Sequence, residues 1–257
     1  MHAPALSPID PDLLLSAYRA GIFPMADAHD DPEVFWVEPR MRAILPLDGF
    51  RLSASLARTL RRERFEVTCN AAFDATIEAC AESREGRSET WISARIAASS
   101  RELHRLGRAH SIECWLGGEL VGGLYGVGFD RVFCGESMFS TQRDASKVAL
   151  AWLVAALRRA RAMLLDCQFM TAHLASLGAI EIDQADYLAR LRAAQAGVVA
   201  GVGGTAGSGV GLGEGAALGL PAGFAALFAD APPDAFGAPG VASSPGKRIA
   251  QSLTQTS

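Results

Sequence analysis

Residues 131–168 read RVFCGESMFSTQRDASKVALAWLVAALRRARAMLLDCQ, and their periodicity decides the fold class. Arg131–Met138 alternates with period two, the pattern of a β-strand. Asp144–Arg161 keeps apolar residues at helical spacing over a length that strands do not reach. Met163–Gln168 is a second short apolar run. Strand, helix and strand in that order imply two parallel strands, neighbours or near-neighbours, joined by a right-handed crossover. By alternation, Cys134, Glu136 and Met138 share one face of the first strand, and Leu164, Asp166 and Gln168 one face of the second. Ligands of such units bind at the C-terminal ends of the strands. Glu136, Asp166, Gln168 and Met138 are therefore expected to converge on one pocket. A carboxylate inside MLLDCQFM is costly unless it is paired or functional. Capping a strand end or pairing with an arginine would satisfy it equally well, and the residues alone leave both readings open.

Outward from this unit, the spacing predicts a short helix over Pro11–Ala20 closing on Gly21. Phe35–Leu45 reads as extended, punctuated by Pro39 and Pro46. A helix over Ser53–Arg62, a strand over Arg64–Cys69, and helices over Ala71–Ala81 and Ser93–Leu106 follow. Ser111–Leu116 and Glu119–Val127 form a hairpin turning at Gly117-Gly118. A helix over Asp183–Leu191 ends the patterned region. The order predicts an α+β protein with a mixed sheet. From Gly197 to Leu220 the chain is almost all Gly, Ala, Val and Leu. Glycine at that density is entropically costly to order. Residues 197–257 are thus expected to be a mostly disordered tail with one short helix near Phe224–Phe228. A phosphate-loop reading of the glycines lacks both a preceding strand and a GK[ST].

The 257 residues suffice for one large domain or two small ones. No apolar run reaches the ~18 residues of a membrane span, and the N-terminus lacks the basic and apolar regions of a secretory signal. The five cysteines (Cys69, Cys80, Cys114, Cys134 and Cys167) are scattered with no CxxC pair. Neither a disulfide framework nor a metal site is expected, and a reducing cytoplasm is the simplest home. A formal net charge of −4 argues against a protein that coats long stretches of phosphate, but not against one that grips a nucleic acid at a single end.

The segments YRAGIFPM, RLGRAHSIECW, ELVGGLYGV, FCGESMFS, ASKVAL, LLDCQ and HLASLGAIEI follow one another over Pro11–Leu191. In order and spacing they resemble the leucyl/phenylalanyl-tRNA–protein transferase family. The resemblance implies a small N-terminal α/β domain over 1–48 and a GNAT-like catalytic domain over 49–196, related to the acyl-CoA N-acyltransferases. It implies transfer of Leu or Phe, and less well Met, from aminoacyl-tRNA to proteins with an N-terminal Arg or Lys. The product would be marked for N-terminal-residue-dependent degradation. No cofactor is implied, since an aminoacyl ester is already an activated donor. A cytoplasmic monomer is expected.

Residue by residue, the resemblance assigns Asp166 and Gln168 to the catalytic pair and Glu136 to a carboxylate near the reacting groups. Leu124, Met138, Leu153 and Leu165 fall where the family lines its hydrophobic pocket; on their own, these positions read as plain core. Trp91 matches a tryptophan near the terminal adenosine of the tRNA, and Arg61 and Arg62 a basic pair that meets the acceptor stem. The match departs from the family in lacking its Gly-rich segment ahead of this region. It also carries Met25 in FPM, where many members have tryptophan. Trp36 and Trp91 are then left to hold the adenosine. A neutral amide is a very weak base, so Gln168 is read as orienting the acceptor amine and Asp166 as supplying the charge.

Two other readings compete. An acyl-CoA-dependent acetyltransferase needs a Gly-rich Q/R-x-x-G-x-G/A loop before the crossover helix, where this chain has TQRDASK. A non-catalytic peptide- or tRNA-binding module would give Asp166 no chemical role.

Overall fold

The computed structural model describes residues 7–82, 90–196, 216–229 and 244–254. Helix α1 (Pro11–Arg19) starts at Asp10, whose carboxylate accepts the backbone N–H of Asp12 and Leu13, with proline at its first position. β1 (Phe23–Met25) pairs antiparallel with β2 (Phe35–Val37) as a small separate sheet. Next come β3 (Met41–Ile44), α2 (Ala54–Arg61), β4 (Glu66–Cys69), α3 (Phe73–Ala81) and α4 (Ala94–Arg105). A meander follows: β5 (Ala109–Leu116), β6 (Glu119–Phe129) and β7 (Val132–Ser140). The crossover helix α5 (Ala145–Arg159) leads to β8 (Leu164–Gln168). α6 (Ala172–Ser176), β9 (Ile180–Asp183), α7 (Gln184–Ala196), α8 (Leu220–Ala229) and α9 (Pro245–Thr254) complete the described chain.

The large sheet runs β4-β5-β6-β7-β8-β3-β9. Every pair in it is antiparallel except β7 and β8, the pair that the crossover predicts to be parallel. Their parallel register covers only Val132↔Leu164 to Cys134↔Asp166. β7 continues to Ser140 and β8 to Gln168, so the strands run unpaired with each other beyond that point and leave a gap in the sheet.

A second irregularity sits beside that gap. Tyr125 pairs with Ser137 but Gly126 with Gly135, which leaves Glu136 as an extra residue in β7. This is a β-bulge, a device that re-aims side chains. A Cβ on Gly126 would lie 2.2 Å from the Cys134 carbonyl oxygen, so the close approach there admits only glycine. The bulge breaks the expected alternation. Cys134 packs with Tyr18 and Leu164 on one side of the sheet, whereas Met138 pairs with Leu124 and packs on the side of α5. Period-two counting cannot see an inserted residue.

Two apolar layers cover the sheet. One holds α1, α3, α4 and α7; the other holds α2, α5, α8 and α9. α5 is buried almost all round, from Ala145 to Leu157, and a helix apolar on every side needs cover on every side. The region after residue 197 supplies it. Phe224 and Phe228 of α8 pack tilted against Trp152, with ring centroids at 5.4 and 5.6 Å, while Ile249 and Leu253 of α9 are buried in the same cluster. The expected short helix near Phe224–Phe228 lies within α8, but the expectation of an otherwise structureless tail does not hold for α8 and α9. Burial of apolar surface against α5 and α2 opposes the entropy cost that composition emphasises. The Gly-rich run 197–215, and 230–243 and 255–257, lie outside the described residues.

Candidate active site

Asp166 is completely buried on β8. Its Oδ1 accepts Arg42 Nε at 2.9 Å and the Gln168 backbone N–H at 2.8 Å. Its Oδ2 accepts Arg42 Nη2 at 2.6 Å and the Tyr187 hydroxyl at 3.0 Å. A carboxylate has about four acceptor positions, and all are occupied by the protein itself. Arg42, on β3, is equally buried. Its guanidinium also donates to the Gly21 carbonyl and lies between the rings of Phe23 and Tyr187, 4.6 and 4.5 Å from their centroids. Fork geometry and aromatic faces suit arginine and would not suit lysine.

Gln168 ends β8 with φ at 61°, a left-handed conformation uncommon for a side chain larger than asparagine. The turn is fixed by its backbone N–H on Asp166. Its side-chain amide donates to Glu136 Oε1 at 3.0 Å, across the gap between β7 and β8. Glu136 also accepts a hydrogen bond from Tyr18 of α1. Burial pushes the Glu136 carboxyl up to about 7, against the opposing pull of the Tyr18 and Gln168 hydrogen bonds. Such a group changes charge near neutral pH. A single hydrogen-bonded line thus runs from Arg42 through Asp166, Gln168 and Glu136 to Tyr18.

In the gap lies a cavity of about 350 Å³, within the ~300–1,000 Å³ usual for small-ligand sites. Glu136 and Gln168 form a polar part of its lining, and Leu124, Met138, Leu153 and Leu165 an apolar part. Trp91 and Phe169 line it as well. Trp91 is tied to the small sheet, for its carbonyl accepts Ala26 N–H at 3.2 Å. The arrangement offers an apolar slot for a side chain beside a polar pair that can hold an amine.

Comparison with known proteins gives this geometry a family. The profile described as leucyl/phenylalanyl-tRNA protein transferase matches residues 44–192, and that of its N-terminal domain residues 7–40. The leucyl/phenylalanyl-tRNA–protein transferase of Novosphingobium aromaticivorans is 65% identical over 97% of this chain and 97% of its own. That of Rhizorhabdus wittichii is 59% identical over 76% and 78%, and that of Zymomonas mobilis 59% identical over 72% and 69%. The chain belongs to the leucyl/phenylalanyl-tRNA–protein transferase family. The match to the first relative is long enough to run through the region after residue 196, so that region is not peculiar to this transferase.

Of the residues expected at the transferase site, Glu136, Gln168, Trp91, Leu124, Met138, Leu153 and Leu165 line one cavity. Asp166 sits behind it. Trp36 does not line the cavity: it lies on β2 opposite Pro24, 42% exposed. Arg61 and Arg62 are exposed at the end of α2, with no ion pair among the described residues.

Other contributors escaped the sequence reading. Arg42, inside the apolar MRAIL, carries the same signal as Asp166 inside LLDCQ: a charge where no charge can stay alone. Reading the two anomalies together would have paired them. Tyr18, Tyr187 and Phe169 carry no such signal. His173, also a cavity residue, has its Nε2 buried without a hydrogen-bond partner among the described residues.

Proposed function

We propose that this aminoacyltransferase moves Leu or Phe, and less well Met, from aminoacyl-tRNA to the α-amine of proteins bearing N-terminal Arg or Lys. The α-amine attacks the ester carbonyl, an amide C–N bond forms, the ester C–O bond to the ribose breaks, and the proton lost by the amine ends on the ribose oxygen. The donor is activated already, so positioning and charge placement are what the protein must supply. The apolar slot of Leu124, Met138, Leu153 and Leu165 takes the donated side chain. Glu136 holds the acceptor amine by charge, and Gln168 orients it. Asp166 acts at one remove, fixing the turn that presents Gln168. Trp91 serves the terminal adenosine, and Arg61 and Arg62 the acceptor stem.

The observation that carries the reading is the Gln168–Glu136 hydrogen bond in the wall of a cavity that Leu124, Met138, Leu153 and Leu165 also line. The parting of two parallel strands around it supports a GNAT-like body; no cofactor is part of the proposal, because an aminoacyl ester is already an activated donor. The two family matches meet between residues 40 and 44, and β3 pairs within the large sheet. This favours a boundary slightly ahead of residue 48 for the small N-terminal unit. Among the described residues no helix is long and apolar enough to cross a membrane; a cytoplasmic monomer is part of the proposal.

The test is transfer from charged leucyl-tRNA to a peptide with N-terminal Arg. Wild-type protein should form the amide, and Glu136→Ala should not form it at a comparable rate. Acetylation from acetyl-CoA with no aminoacyl transfer would overturn the reading.

A further inference from the structure

Phe169 is unexplained by the site as described. It follows Gln168 directly, and the left-handed backbone of Gln168 turns it out of β8. The ring lines the same cavity as Trp91, yet 45% of the residue is open to solvent. Its position is braced: Phe23 meets it edge-on with centroids 5.7 Å apart, and Phe23 in turn carries the Arg42 guanidinium on its ring. A half-bare aromatic held in place at the entrance of a site is a surface for a flat, apolar partner. In β1, Phe23 and Met25 share a face by alternation. The residue after Met25 is hydrogen-bonded to Trp91.

Resting on the aminoacyl-tRNA reading above, we infer that Phe169, together with Trp91, stacks on the terminal base of the donor tRNA. The donor end is single-stranded, and its terminal base is one ribose away from the reacting ester. Gln168, proposed to act beside that ester, and Phe169 are adjacent in the chain, with α-carbons ~3.8 Å apart. One turn of backbone therefore presents an amide to the ester region and a ring to the base of the same nucleotide. Stacking tolerates substitution by another aromatic ring but not by an aliphatic chain, because it needs a π-face.

The experiment compares Phe169→Ala, Phe169→Leu and Phe169→Trp with wild type, using leucyl-tRNA and, in parallel, two small donors: leucyl-adenosine and a leucyl-ribose ester lacking the base. For leucyl-tRNA and leucyl-adenosine, Phe169→Ala and Phe169→Leu should raise the donor KM about tenfold with kcat within about twofold, and Phe169→Trp should restore it. For the base-less ester all variants should match wild type. Unchanged KM in Phe169→Ala, or an equal loss with the base-less ester, would overturn the inference. Absence of transfer by wild type would instead overturn the function on which it rests.

Discussion

Asp166 and Gln168 stand two residues apart on one strand and have opposite surroundings. Asp166 is sealed, with every acceptor position taken by Arg42, Tyr187 and the Gln168 backbone. Gln168 spends one amide hydrogen on Glu136 and turns the rest of its amide to a cavity. The difference separates two uses of polarity. A fully satisfied buried network specifies geometry, whereas a partly satisfied one is available to a substrate.

The strongest challenge to this contrast is Arg42→Ala. It leaves Asp166 buried without its counter-charge and should cost ~3–5 kcal/mol of unfolding free energy. Denaturant unfolding would check it; a loss below about 1 kcal/mol would mean that the network is not structural. Next in size is Glu136→Gln, which removes a charged contact to the acceptor worth ~1.5–3 kcal/mol. Acceptor kcat/KM should fall by about 10- to 150-fold with the fold intact, as measured by steady-state transfer.

The same variant sharpens the contrast through pH. The Glu136 carboxyl sits near 7 when folded against an ordinary 4.5, so the folded state binds the extra proton between these values. Stability should therefore fall as pH rises from about 4.5 to about 7 and level off above. Activity should rise through the same ionisation as the carboxylate forms, together with the acceptor amine near 7.7–8.0. Glu136→Gln should flatten the stability slope and reduce the acid limb of kcat/KM from two protons to one. The smallest effect is expected of Tyr187→Phe, which takes one hydrogen bond from Asp166. About 1–2 kcal/mol of stability should go, with transfer nearly unchanged at temperatures where the protein stays folded.

The strand–helix–strand unit was legible because α5 is long enough to be told from a strand and short apolar runs flank it. β7, α5 and β8 end within two residues of the boundaries expected from the sequence. β1 and β9, three and four residues long, were not read as strands. Cavity membership of Glu136, Gln168 and the leucines followed from pattern and resemblance together. What stayed hidden depended on partners distant in sequence. The bulge at Glu136 moved Met138 to the other face, and Arg42 neutralised Asp166 from 124 positions away. The apolar circumference of α5 did announce that something must cover it, but not that α8 and α9 would.

The most direct measurement takes Asp166→Asn and Gln168→Ala side by side, recording unfolding free energy and transfer rate for each. Asp166→Asn should lose stability and transfer together, because it breaks the Arg42 pair. Gln168→Ala should lose transfer at least tenfold while keeping stability within about 1 kcal/mol. An Asp166→Asn protein as stable as wild type yet unable to transfer would contradict the contrast, for Asp166 would then act on the substrate itself.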